Sequence, residues 1–260
     1  MKKPLFFILC LFTAGLAQSA SMLPADKDLV FKFDYSSDSD TPSINPNSWG
    51  WTHYDTEKPD ISNGVATFIN GGPITGTGTG KDATGTSHAF NTNNFTMSFD
   101  IGSVEAEQQS IVFGLGDGKK VEGTINGFFI TATKTSISLW NATTDDTKTA
   151  KNILTATGLD LSSTNLTSIA VINNETGSYI YSGDTLLASS QTHITGGEVN
   201  SIFNIGSLWN GANNIGGKDN SQKLNGKLDN VALYSTLVPE PTTVSLSLIG
   251  LTLLMARRRR

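Results

Sequence analysis

Apolar and polar positions alternate along this chain in short bursts, each the length of a β-strand. Phe95-Thr96-Met97-Ser98-Phe99-Asp100-Ile101 is the cleanest of them. Every second side chain is apolar, so one face of that strand is buried and the other is not. Leu29 to Asp34, Gly64 to Ile69 and Ser110 to Leu115 have the same character. Gly127 to Ala132 and Ser136 to Trp140, joined through Thr133-Lys134-Thr135, predict a hairpin. Thr167 to Ile172 and Ser178 to Tyr181, flanking Asn173 to Gly177, predict another. Asp184 to Ala188, Ile202 to Leu208 and Leu224 to Tyr234 complete the set. Gly, Asn, Asp and Ser punctuate the bursts, as at Gly116-Asp117-Gly118. No segment of residues 21–237 sustains a 3.6-residue apolar period. The pattern predicts an all-β fold: a two-sheet antiparallel β-sandwich or jelly roll, one domain over residues 21–236.

The two ends follow a different pattern. Lys2 and Lys3 precede an apolar run from Leu5 to Leu16, with small residues at Ala17, Ser19 and Ala20. That order reads as a secretory signal peptide over residues 1–20, forming a signal helix; a retained membrane helix is the competing reading. The lone Cys10 leaves with the signal, so the mature chain is expected to have no disulfide. At the other end, Val238-Pro239-Glu240-Pro241 precedes an apolar run from Val244 to Ala256, then Arg257-Arg258-Arg259-Arg260. This arrangement over residues 237–260 resembles the bacterial PEP-CTERM sorting signal. Fifteen helical residues from Thr242 rise about 22 Å, less than the ~30 Å hydrocarbon core, so a single membrane helix would need its Arg side chains to snorkel. Those four Arg place the C-terminus on the cytoplasmic side and the body outside. The resemblance implies an exosortase-type processing enzyme as partner, cleavage near the Pro-Glu-Pro motif, and transfer to the cell surface or extracellular matrix. A plain C-terminal anchor is the simpler alternative.

The second half of the body carries a further resemblance. A strand, a turn and an aromatic strand with a Gly-Asp tip run from Ser168 to Asp184, and Phe203-Asn204-Ile205-Gly206 follows. The last piece reads Leu224-Asn225-Gly226-Lys227-Leu228-Asp229-Asn230-Val231-Ala232-Leu233-Tyr234. Together they resemble laminin G-like domains of the concanavalin A-like lectin/glucanase group. The tip departs from the family's Asp-Gly, being Gly183-Asp184, which leaves its turn type open. On the closing strand, Leu228, Val231 or Ala232, and Leu233 are expected to face the core, with Tyr234 at its end, hydroxyl toward water. Asp229 is expected to bond backbone rather than to catalyse.

Charge narrows the partners. Six of the 18 Lys+Arg lie at the extreme ends, which leaves 12 Lys against 22 Asp+Glu in residues 21–237. A body near -10 without Arg is a poor partner for nucleic acid. The E-x-D-x-E carboxylate set of glucanases on this fold is absent; the nearest approach is Glu105-Ala106-Glu107, in a stretch that reads as loop. His53, His88 and His193 have no zinc spacing, and Gly76 to Asp82 lacks the phosphate-loop pattern. The resemblance makes Ca²⁺ the cofactor candidate, with Asp38, Asp40, Asp145 and Asp146 as acidic loop ligands. Trp49, Trp51 and Trp209, and also Trp140, are candidates to stack on sugar rings; half-buried core packing is the alternative for each. The resulting expectation is a surface protein that binds polysaccharide rather than an enzyme. A divergent glycoside hydrolase using Glu105 and Glu107, and a structural matrix protein without a small ligand, stand as alternatives.

Overall fold

The computed structural model describes residues 28–37, 39, 41–45, 50–53, 58–69, 74–77, 89–107, 109–116, 127–141, 150–196, 198–200, 202–206 and 223–235. The strands before the first long hairpin are β1 (Leu29–Phe33), β2 (Gly50–His53), β3 (Asp60–Ser62), β4 (Val65–Phe68), β5 (Ile74–Thr77) and β6 (Ala89–Asn91). The middle of the chain forms β7 (Phe95–Gly102), β8 (Ser110–Gly116), β9 (Gly127–Thr133), β10 (Ser136–Asn141) and β11 (Lys151–Thr157). The rest forms β12 (Thr167–Asn174), β13 (Gly177–Ser182), β14 (Thr185–Ser190), β15 (Glu198–Asn200), β16 (Ile202–Ile205) and β17 (Gly226–Tyr234). The described residues contain no α-helix, and none long and apolar enough to cross a membrane.

Two antiparallel sheets carry the core. The eight-stranded sheet runs β14-β13-β12-β7-β17-β4-β3, with β1 paired to β17 off that path. The seven-stranded sheet runs β11-β10-β9-β8-β16-β5-β2. This is a β-sandwich. The alternation that predicted the strands is what fills its interior: Phe95, Met97, Phe99 and Ile101 project from β7 into the core. Phe95 meets Phe128 of the opposite sheet in a parallel stack, centroids 4.0 Å apart and planes at 6°. Phe31 packs edge-on against Phe203, 5.3 Å away. Such aromatic and aliphatic side chains from both sheets close the space between them without disulfides.

Turn chemistry fixes the registers. Asn63-Gly64 joins β3 to β4 with both residues at positive φ, 52° and 75°, as a type I′ turn requires. At the β13–β14 tip, Gly183 alone is positive, at 53°, the pattern of a type II′ turn with Gly first. The reversed Gly183-Asp184 tip is therefore another hairpin turn, and β13 and β14 pair behind it with one extra residue, Leu187, on β14.

Asn173 ties the end of β12 to its surroundings. Its amide donates to the carbonyls of Thr92, Asn93 and Ile194 at 3.1, 3.0 and 3.1 Å. Its oxygen accepts from the Ser178 hydroxyl at 2.8 Å and the Ile194 N–H at 2.9 Å. The side chain is fully buried.

On β17 the expected alternation is interrupted. Leu228 pairs toward Ile101 and Asp229 toward Asp100, but Ala232 pairs toward Ser98, so β17 carries one extra residue. This is a β-bulge, with Asn230 at φ 48°. It turns Leu228, Val231 and Leu233 into the core and Ala232 to the opposite face. Tyr234 differs from the expectation. It is buried with Leu29 and Ala232 on the outer face, because β1 lies alongside and covers the strand end.

Candidate functional site

Two places on the sandwich gather polar chemistry. The first lies on β9, β10 and β11, on the side of the seven-stranded sheet turned away from the core. Phe129 on β9, Trp140 on β10 and Asn152 on β11 are direct neighbours across the strands. Phe129, Ile111, Trp140 and Ala150 form an apolar cluster separate from the main core. The Trp140 ring is half-buried, and its orientation is fixed. Its Nε1–H donates to the Thr131 hydroxyl at 2.8 Å, and that hydroxyl in turn donates to the Gln109 side-chain carbonyl. Beside it, the Ser138 and Thr155 hydroxyls meet at 3.0 Å, and the Asn152 amide donates to Thr155 at 3.2 Å. Asn152 and Thr155 are exposed.

A local irregularity builds this edge. Leu139 pairs with Leu154 but Trp140 pairs with Asn152, so Ile153 is an extra residue on β11. Both Ile153 and Leu154 are thereby buried, and Asn152 is brought beside Trp140. None of Gln109, Thr131, Ser138, Trp140, Asn152 and Thr155 carries a charge. An oriented aromatic ring flanked by an exposed amide and hydroxyl has the chemistry to hold a polyol: apolar contact on the ring face, and donors and acceptors beside it.

The second place is acidic. Asp100 on β7 faces Asp229 on β17, and Asp34 follows β1 nearby. The Asn230 amide donates to Asp100 at 2.8 Å and to Asp229 at 3.2 Å, and Ser168 donates its hydroxyl to Asp100. Asp229 accepts its neighbour's backbone N–H at 2.6 Å, in keeping with a structural role. Burial pushes the Asp229 carboxyl above its ordinary range, and the charges of Asp100 and Asp34 add to that. Asp34 goes the other way, because the Ser36 backbone N–H and hydroxyl donate to it, at 3.1 and 2.8 Å. The Tyr35 hydroxyl is buried without a hydrogen-bond partner among the described residues, and burial together with the Asp229 charge raises it far above the usual phenol value.

The glutamates proposed as a catalytic alternative are both exposed in the β7–β8 loop, as expected, but they serve different neighbours. Glu105 accepts the Asn225 amide at 2.7 Å, while Glu107 pairs with Lys134 of the β9–β10 turn at 2.8 Å. Among the described residues no three His, Cys, Asp or Glu are grouped so as to hold a metal ion. Asp38, Asp40, Asp145, Asp146, Trp49 and Trp209 lie outside the described residues. So do the signal segment, Val238-Pro239-Glu240-Pro241 and Arg257 to Arg260. Trp51 stands on β2 opposite Gly76, which pairs in turn with the buried Phe203. Sequence reasoning weighed Trp140 but not the residues around it. The signal was present in Thr131, Ser138 and Thr155, the polar members of alternating strands, but only strand pairing shows that they meet.

No protein-family model matches the chain, and no curated protein sequence matches it. Solved structures do. A Trypanosoma rangeli sialidase in complex with 2,3-difluorosialic acid superposes with a TM-score of 0.54 at 15% identity, over 84% of this chain and 32% of that one. The botulinum neurotoxin serotype D binding domain gives 0.52 at 12% identity, over 83% and 50%. Botulinum neurotoxin type C, whose cell entry depends on interaction with two ganglioside molecules, gives 0.54 at 13%, over 83% and 49%. The chain thus spans about a third of the sialidase chain and half of each toxin chain. At these identities the likeness is one of fold: the two-sheet antiparallel β-sandwich that the strand pattern predicts.

Proposed function

We propose that this chain is an exported bacterial surface or matrix protein whose β-sandwich binds neutral polysaccharide at the Trp140 edge. The observation that carries the binding reading is the fixed, half-buried Trp140 ring beside exposed Asn152 and Thr155. The Thr131–Gln109 relay satisfies the indole N–H and fixes the ring, and the exposed, uncharged Asn152 and Thr155 beside it are what suit the edge to a neutral sugar. The neighbours add weight, since they include a sialidase bound to a sialic acid derivative and a toxin that depends on gangliosides. Those ligands are acidic. A body with 22 Asp+Glu against 12 Lys favours neutral sugars here. The division of Glu105 and Glu107 between separate partners speaks for binding over hydrolysis. Export through the N-terminal signal and sorting by an exosortase-type enzyme belong to the same reading. They rest on the residue pattern at the two ends. Ca²⁺ held by Asp38, Asp40, Asp145 or Asp146 belongs to the same proposal.

The test is an array of neutral and acidic polysaccharides, probed with and without Ca²⁺. The expected result is binding to neutral chains that Trp140→Ala weakens at least tenfold while leaving thermal unfolding within a few degrees. A blank array with concentration-dependent assembly in sedimentation overturns the binding reading in favour of a structural matrix role.

A further inference from the structure

β17 is a branch point. Along one edge it pairs with β7 for almost its whole length. Its other edge is shared: β4 takes Gly226, Lys227 and Leu228, and β1 takes residues from Val231 to Tyr234. The hand-over falls at Asp229-Asn230, the bulge. Here the structure concentrates like charge. Asp100 faces Asp229 from β7, and Asp34 approaches from the end of β1. Lys32 on β1 is the one cation acting on Asp229 among the described residues, and Lys227 stands two residues away on β17 itself. Tyr35 adds a buried hydroxyl without a partner among the described residues. Ser168 on β12 is uncharged, as are Ala66 and Thr67 on β4. The Asn230 side chain holds both carboxylates from one nitrogen, at 2.8 and 3.2 Å, so those two oxygens lie within about 6 Å of each other.

We infer that this branch point is a proton-operated clamp, in which Asp229 closes β17 onto β7 when it takes up a proton and loosens the bulge when it releases it. A protonated Asp229 donates to the Asp100 carboxylate, and one of three mutually repelling charges disappears. The deprotonated form leaves Asn230 as the bridge between two anions. Like charges directly opposite on neighbouring strands are destabilising. The direction of the Asp229 shift gives the sign. Its folded-state proton affinity is raised. The added stability is therefore complete below the ordinary Asp range, near 3.8, and is lost as pH rises through the raised value. The inference is independent of the carbohydrate reading.

Hydrogen exchange of the full chain tests it, run from pH 3.5 to 7.5 and corrected for intrinsic rates. Amides of residues 229–234 and 29–36 are expected to be protected at least threefold better at the acidic end. Asp229→Asn should hold the acid-like protection across the range, since an amide cannot ionise and still donates to Asp100. Asp100→Asn serves as the second variant and should weaken the pH dependence without abolishing it, since Asp229 stays buried but the charge facing it is gone. Protection in the wild type that does not vary with pH overturns the inference. So does an Asp229→Asn or Asp100→Asn variant that keeps the wild-type dependence.

Discussion

Replacing Asn173 with Ala is expected to be among the costliest single changes in this protein. The side chain makes five hydrogen bonds, and all of them are lost at once. Ser178 can turn its hydroxyl elsewhere. Ile194 loses a partner from both its N–H and its carbonyl, in a buried setting. A stranded buried donor costs about 1–3 kcal/mol, and each net bond lost adds roughly 0.5–1.5 kcal/mol, not additively. The expected total is about 3–4 kcal/mol. For a domain of this size that lowers the melting temperature by roughly 6–16 °C. Differential scanning calorimetry together with urea unfolding would measure it. Asn173→Asp supplies the sharper control. At neutral pH it turns a carboxylate toward three carbonyl oxygens, and burial and those oxygens raise its folded-state pKa. Its penalty should therefore be greatest above that pKa and shrink as the pH falls and the group becomes neutral. A loss under about 1 kcal/mol in Asn173→Ala would refute the reasoning. A pH-independent penalty in Asn173→Asp would refute the electrostatic part of it.

Gly206 sits at φ +84°, and any Cβ there would be driven into the ring of Phe68. Gly206→Ala should cost about 2–3 kcal/mol from overpacking and the left-handed backbone together, read from the urea midpoint. Glu105→Gln and Glu107→Gln should each shift stability by no more than about 0.5 kcal/mol, since both groups are exposed. Neither should alter polysaccharide binding; a glycan-cleaving activity that disappears in Glu105→Gln would favour the hydrolase alternative.

The strands that announce themselves in the sequence are those whose apolar residues, alternating in β7 and continuous in β9 and β12, feed the core. β7, β9, β10, β12 and β13 fall where their apolar residues place them. The strands that escape detection lack that signature for identifiable reasons. β11 puts Ile153 beside Leu154, since the extra residue breaks the period of two. β5 contains Thr75, Gly76 and Thr77, with Ile74 its one apolar residue, and β3 is three residues long. The same limit applies to the sites. Asp229-Asn230 reads as an ordinary polar pair, although Asn at that point marks the bulge through its tolerance of positive φ. Asn230 and Asp100 lie 130 residues apart in the chain and meet only because β17 pairs with β7. The Trp140 edge was half legible: the aromatic stood out, and its hydroxyl neighbours did not.

β17 comes after every other strand among the described residues, yet it lies between β7, β4 and β1. During synthesis the eight-stranded sheet therefore has a gap in its middle until the last described segment is available. A nascent chain stopped before Gly226 would leave β1 unpaired in its sheet, and β7 and β4 with open edges, the state most prone to wrong partners. The last described strand closes contacts to residues about two hundred positions earlier, so completion is a slow, late and concerted event.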